Sequence, residues 1–262
     1  MGRNAVRQLL GERPAKAEIT LALAALASYS SAMSEFHANF VEPERVQRYT
    51  EQGPPAFAPG HGGMLQMIGV LLGECMPDNG QLLVIGAGGG LETRYLAGVE
   101  PGWRFVGVDP ASAMLDLARA VAGQVAGNRV AFIEGTVLDA PSGPFDAATC
   151  ILVLGVIADY GSKLATLMEA HRRLKPEAPF ILVDQCIDRS APDVERRLAR
   201  YASYALRSGV DANVVAGAKA AVGTLESMVP AWRNEELLRE AGFHDPEVFY
   251  VGMAWRGWVA YA

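Results

Sequence analysis

The run Leu82-Leu83-Val84-Ile85, followed by Gly86-Ala87-Gly88-Gly89-Gly90, constrains this chain more than any other segment. A short apolar stretch leads into a glycine cluster, and a helix-like segment, Leu91 to Ala97, comes next. Glycine has no Cβ, so a turn built from it lets the backbone approach a ligand closely. The helix that follows points its free N–H groups toward the same spot. Arg104-Phe105-Val106-Gly107-Val108-Asp109 is a second apolar run that ends in a carboxylate. Asp109 lies about twenty residues past the loop, where an acid that holds ribose hydroxyls is expected.

The glycine spacing separates two ligand classes. A dinucleotide site needs G-x-G-x-x-G, whose third glycine packs helix against strand. Here the spacing is Gly86-x-Gly88-x-Gly90, and the position three after Gly88 is Leu91. A nicotinamide or flavin site is therefore disfavoured. Four further segments run in order after the loop: Asp109-Pro110-Ala111-Ser112-Ala113-Met114-Leu115, Val130-Ala131-Phe132-Ile133-Glu134-Gly135-Thr136-Val137, Phe145 to Leu154, and Leu174-Lys175-Pro176-Glu177 running on to Asp184. Together with the glycine loop they resemble the class I S-adenosylmethionine-dependent methyltransferases over roughly residues 80 to 185.

The resemblance implies a cofactor site. Gly86, Ala87 and Gly88 would line the methionine part, and Asp109 would accept from both ribose hydroxyls. Pro110 and Met114 would flank the adenine, with Val137 on its other side and Thr136 accepting from its amine. Ile151 and Leu152 would offer backbone carbonyls to the methionine ammonium. The sequence departs from the family pattern at two places. The acid usual before the glycine loop is Val84, and the acid usual in the third-strand loop is Thr136. Threonine still accepts a hydrogen bond, whereas valine cannot replace a carboxylate. Glu92 is a candidate for the missing charge.

A second resemblance lies upstream. Pro59-Gly60-His61, with Met64-Leu65-Gln66-Met67-Ile68-Gly69 after it, is similar to a segment of the carboxy-S-adenosylmethionine synthases. By that likeness His61 takes a cofactor-facing position. The synthases hold an extra carboxylate with an arginine in the insert after the fifth strand. Here that region reads Ala218-Lys219-Ala220-Ala221, which weakens a shared reaction.

Coarse patterning gives the organisation. The chain has 262 residues, half of them apolar, enough for a sizeable core. Residues 1 to about 50 read mostly as helix, Gly53 to Gly63 as a long loop, and Met64 to Met76 as an apolar helix. From Leu82 to Asp184 strands and helices alternate, which predicts a parallel sheet covered on both faces. Helices are expected over Pro192–Ser208, Asp211–Val229 and Glu235–Ala241, and an antiparallel strand pair over Pro246–Val251 and Met253–Tyr261. The fold expected is α/β: a doubly wound, seven-stranded, mostly parallel sheet of the Rossmann-like methyltransferase type. An N-terminal helical lid and linker covers residues 1–78. The binding domain covers 79–262, with a helical insert at about 188–230 after the fifth strand.

Methyl transfer needs alignment more than acid–base chemistry, so acceptor-side residues are less legible. Asp159 and Tyr160, just after the fourth strand, and His37, in the N-terminal region, are the catalytic candidates. Arg233 reads as a solvated helix-start residue. Gly155 replaces a base that many relatives carry and is expected to enlarge the pocket. Tyr201, Tyr204, Met228, Trp232, Phe249, Tyr250, Met253 and Trp255 could cover an apolar or planar ligand.

Net charge is −6, which argues against a broad nucleic-acid surface. Cys75, Cys150 and Cys186 have neither metal spacing nor a disulfide framework, so no metal is expected. All three read as buried or neutral thiols of a reducing cytoplasm, and Ile19–Ala27 is too short to span a bilayer. The leading expectation is a cytoplasmic methyltransferase that uses S-adenosyl-L-methionine on a small aromatic or otherwise apolar metabolite, with a homodimer as its possible assembly. Two alternatives stand beside it: a cofactor-modifying enzyme like the carboxy-S-adenosylmethionine synthases, and a non-catalytic binding protein on the same fold.

Overall fold

The computed structural model describes residues 43–262. Three helices come first: α1 (Pro43–Gln52), α2 (Pro54–Phe57) and α3 (His61–Gly73). The alternating unit follows: β1 (Gln81–Ile85), α4 (Leu91–Val99), β2 (Arg104–Asp109), α5 (Ser112–Ala126), β3 (Val130–Glu134), β4 (Ala147–Ile151), α6 (Ser162–Arg172) and β5 (Pro179–Gln185). The chain then forms α7 (Val194–Arg207), α8 (Ala212–Thr224), α9 (Ala231–Glu240), β6 (His244–Gly252) and β7 (Trp255–Tyr261).

The seven strands form one sheet in the order β3-β2-β1-β4-β5-β7-β6. Strands β1 to β5 pair in parallel, while β7 runs antiparallel to both β5 and β6. The expected α/β fold is therefore observed, with the last hairpin folded so that β7 lies inside β6. Because β1 sits between β2 and β4, the chain winds away from it in both directions. The crevice at that reversal, outside the carboxyl ends of β1 and β4, is where ligands of such sheets bind.

Burial follows the two-residue period of a strand. Leu83 and Ile85 belong to a core with Leu167, Ala170, Leu237 and Leu238 of α6 and α9. Leu82 and Val84 face the opposite core, with Ile68 and Leu72 of α3 and Leu96 of α4. Both faces are thus covered, and this is why β1 reads as an unbroken apolar run rather than an alternating one. Strand β5 is buried along its whole length, Asp184 and Gln185 included.

The stretch 53–63 departs from the loop expectation. Pro54–Phe57 forms a helical turn and α3 starts at His61, three residues before Met64. Proline at the first helical positions lacks only an N–H that would be unpaired there anyway, so Pro54 and Pro55 start a turn instead of preventing one. Cys75 is exposed, whereas Cys150 and Cys186 are buried. Among the described residues, no helix is long and apolar enough to cross a membrane, and no three metal-ligating side chains converge.

Candidate active site

A cavity of about 280 Å³ opens at the carboxyl ends of β1, β2 and β4. Its walls include Gly86, Gly88, Asp109, Pro110, Met114, Thr136, Val137, Ile151 and Leu152. A smaller cavity of about 40 Å³ shares Gly86, Gly88, Ile151 and Leu152 with it and adds His61, Ala87, Val84 and Glu92. Every candidate cofactor residue read from the sequence thus lines one of two adjoining cavities.

The glycine loop is held by its own backbone. Gly86 N–H and Ala87 N–H both donate to the Val108 carbonyl, at 2.9 and 3.0 Å. Gly88 N–H donates to Asp109 Oδ2 at 2.9 Å, Gly89 N–H to Met114 O at 3.3 Å, and Gly90 N–H to Ala87 O at 3.1 Å. A phosphate cradle needs such N–H groups free. All five are occupied, which is the physical counterpart of the missing G-x-G-x-x-G spacing. At Gly88 the loop approaches the acid at the end of β2: a Cβ there would lie 2.8 Å from Asp109 Oδ2 and 3.2 Å from Met114 Cε.

Asp109 ends β2 with both carboxylate oxygens anchored. Oδ1 accepts from Ala111 N–H and Oδ2 from Gly88 N–H, each at 2.9 Å. Each oxygen keeps a lone pair for another donor. Burial pushes its pKa up to about 6, against the pull of those two N–H groups. Asp109 is not the cap of α5, since the capping position is Ala111. Its carboxylate is instead presented to the cavity.

Other walls show how the loops are set. Leu152 adopts φ +62°, a left-handed backbone that is rare for a bulky residue, and its N–H is held by Val183 O at 2.8 Å. This strained position lies where β4 meets both cavities. Thr136 Oγ1 already accepts from Leu138 N–H at 3.2 Å and donates to Asp139 Oδ2 at 3.3 Å. Its hydroxyl therefore serves the turn as well as the cavity. His61 stays neutral near pH 7, because burial lowers its pKa.

Aromatic side chains also line the main cavity. Phe57 of α2 meets Tyr201 of α7, with ring centroids 5.2 Å apart, and Trp255 of β7 adds a third ring. Burial raises the Tyr201 pKa, so its phenol stays protonated. Of the aromatic and Met-rich set expected to cover the ligand, only Tyr201 and Trp255 line it. Tyr250 acts at a distance, donating from its hydroxyl to Pro59 O at 2.6 Å and so tying β6 to the turn before α3.

Neither Asp159 nor Tyr160 lines these walls. Tyr160 is 81% exposed. Asp159 pairs with Arg233 at 3.0 Å, and Arg233 also reaches Glu240 at 2.8 Å. Arg233 is thus the centre of an ion-pair cluster rather than a solvated helix start. His37 lies outside the described residues. Gly155 does not enlarge the pocket, because a Cβ there would sit 2.7 Å from the buried Asp184 Oδ1. Lys219 lies beside Glu195, at 3.8 Å, and not on a cavity wall.

Tyr49 and Phe57 are wall residues that the sequence reading does not single out. Tyr49 of α1 lines both cavities, and its buried phenol, which lies near Asp109, has a raised pKa. Glu92, the candidate for the charge missing at Val84, lines the smaller cavity beside it. No periodicity marks Tyr49, since α1 is a short polar helix whose importance depends on what it lies over.

Taken together, the crevice offers an anchored carboxylate at Asp109, apolar walls that include Met114 and Val137, and a glycine loop whose N–H groups are already occupied. Residues 83–180 match a family model described as a methyltransferase domain. The carboxy-S-adenosyl-L-methionine synthase of Wolinella succinogenes is 27% identical over 147 residues, 56% of this chain and 60% of the relative's length. Among solved structures, an S-adenosylmethionine-dependent methyltransferase from Aquifex aeolicus superposes with TM-score 0.57 at 16% identity, over 84% of this chain and 98% of the other. A 1,6-didemethyltoxoflavin-N1-methyltransferase from Burkholderia thailandensis, solved with 1,6-didemethyltoxoflavin and S-adenosylhomocysteine bound, gives TM-score 0.55 at 19% identity, over 90% and 89%. At these identities the structural likeness concerns the fold.

Proposed function

We propose that this chain, which belongs to the class I S-adenosylmethionine-dependent methyltransferase superfamily, methylates a small aromatic or otherwise apolar metabolite. The observation that carries this reading is one cavity lined both by an anchored carboxylate, Asp109, and by the rings of Phe57, Tyr201 and Trp255. The Burkholderia protein's heteroaromatic ligand is consistent with such a lining.

When bound, S-adenosylmethionine supplies an electrophilic methyl carbon on a sulfonium sulfur. The protein's part is alignment. Asp109 takes the two ribose hydroxyls in charge-assisted hydrogen bonds. Pro110, Met114 and Val137 hold the adenine by apolar contact, and Ile151 and Leu152 set the backbone beneath the methionine part. Phe57, Tyr201 and Trp255 hold the acceptor's plane and exclude water, so its lone pair lies in line with the methyl group. Among the described residues, no group of that ring lining acts as a base near pH 7. The best acceptors are then nucleophiles that already carry a free lone pair: a ring nitrogen, a thiolate or an ionised enol. In this reading residues 43–78 and the insert at about 188–230 close over the cavity, with Phe57 and Tyr201 as their meeting point.

Transfer of labelled methyl from S-adenosylmethionine across a panel of small heteroaromatics and phenols tests the proposal. Labelled product with an aromatic acceptor supports it. Binding of S-adenosylhomocysteine with no transfer to any aromatic or apolar acceptor sinks the acceptor class. The Wolinella relative keeps a second reading, modification of the cofactor itself. Incubation with prephenate and mass analysis of the nucleoside decides it, a carboxylated product favouring the second reading.

A further inference from the structure

Glu92 is the second residue of α4, and its side chain enters the smaller cavity beside Val84, His61 and Leu152. Its Oε1 is sealed from solvent and has no hydrogen-bond partner. Directly across the β1–β4 ladder from Val84 stands Thr149, whose Oγ1 is likewise sealed and unpartnered. The Thr149 hydroxyl lies near enough to steady the Glu92 carboxylate, yet neither atom completes a bond of normal geometry.

A carboxylate oxygen sealed from solvent without a full hydrogen bond is costly, and proteins resolve it with a cation or with a proton. No lysine or arginine lines this cavity among the described residues, and His61 is held neutral by burial. Without a ligand the carboxyl is left to a proton, and a cation that replaces it comes with the ligand. The cavity holds about 40 Å³, room for one small group, and its walls include Gly86, Ala87 and Gly88 of the glycine loop. An ammonium group brings three donors, enough for the Glu92 carboxylate and backbone carbonyls of the cavity wall.

We propose that Glu92, reaching over from α4, supplies the negative charge that binds the ammonium of the cofactor's amino-acid end, at the place where Val84 leaves β1 without a carboxylate. This rests on S-adenosylmethionine as the ligand, with its nucleoside held by Asp109. The helix start favours the ionised form of Glu92. Without the ligand, burial lifts the Glu92 pKa to about 7. Ligand binding therefore draws a proton off it. The other titratable groups around it are His61 on α3, Tyr49 on α1 and Cys150 on β4; the phenol and thiol are raised well above neutrality by burial. Arg94, two residues on along α4, is exposed.

Calorimetric titration with two probes tests this. S-adenosylhomocysteine carries the amino-acid end, and 5′-methylthioadenosine carries the same nucleoside thioether without it. Glu92→Gln is expected to weaken the first about 10- to 100-fold and to leave the second within about twofold. Equal loss for both probes, or no loss for the first, overturns the assignment. Titration of the unaltered protein in buffers of different ionisation enthalpy gives a second test that needs no variant. At pH 7, S-adenosylhomocysteine should release about half a proton more than 5′-methylthioadenosine; no difference overturns the proposal. A protein that binds neither probe overturns both this assignment and the cofactor reading. Binding of the nucleoside alone, without a Glu92 effect, removes only this one.

Discussion

Glu92→Gln should stabilise the unliganded protein, and by an amount that depends on pH. Burial lifts the carboxyl from 4.5 to about 7. At ~1.36 kcal/mol for each tenfold change in proton affinity, holding it ionised in the folded chain costs about 3 kcal/mol. Because the folded pKa lies above the unfolded one, the folded chain keeps a proton that the unfolded chain has released. Stability therefore falls as pH rises from about 4.5 to about 7, and the whole cost is present above that window. Glutamine has the same shape as the protonated acid and no charge to desolvate. In urea denaturation followed by circular dichroism, the variant should exceed the parent by up to about 3 kcal/mol at pH 8, and by less than about 1 kcal/mol at pH 5. A variant no more stable than the parent at pH 8, or a gain that is the same at both pH values, would refute the reasoning. A positive result would also identify a site where ligand charge is provided for at the expense of apo-state stability.

Three further outcomes follow from the geometry. Asp109→Ala removes the acceptor of Gly88 and Ala111 N–H. It should weaken both S-adenosylhomocysteine and 5′-methylthioadenosine by about 10- to 100-fold in calorimetry, and unchanged affinity would contradict the ribose role. Gly88→Ala places a Cβ 2.8 Å from Asp109 Oδ2 and should cost at least about tenfold in nucleoside affinity by displacing the carboxylate. Tyr201→Phe should leave the rate of methyl transfer within about twofold, since a phenol held protonated by burial is not the base. A loss of a hundredfold or more in kcat would give Tyr201 an acid–base role.

How much of this could be read without coordinates differs from residue to residue. The continuous apolar run Leu82–Ile85 and the glycines after it carry their meaning locally, because strand burial and turn geometry are short-range properties. Asp109 is legible for the same reason, as an acid at a strand end. The antiparallel position of β7 inside β6 is a long-range pairing, and its sequence shows only two adjacent strands. Asp159 and Tyr160 follow β4 in sequence yet turn away from the crevice, where Arg233 of α9 takes up the carboxylate. Gly155 looks like a missing base until Asp184 of β5 is seen to fill the space beside it. Glu92 and Tyr49 matter because of what folds over them, Val84 with Thr149 in one case and the glycine loop in the other. Spacing along the chain carries no record of such vertical neighbours. The prolines at 54 and 55 illustrate the opposite error, since a residue that breaks helices in their middle is compatible with their first turn.

The central claim is that a sulfonium nucleoside lies across the ends of β1 and β2, with Asp109 on its ribose and its sulfur turned toward the rings of Phe57, Tyr201 and Trp255. A crystal structure with S-adenosylhomocysteine bound tests it most directly. The account predicts both ribose hydroxyls on Asp109, the adenine between Met114 and Val137, and the sulfur facing the space bounded by Phe57, Tyr201 and Trp255. A nucleoside bound elsewhere, or one whose ribose leaves Asp109 untouched, would contradict it.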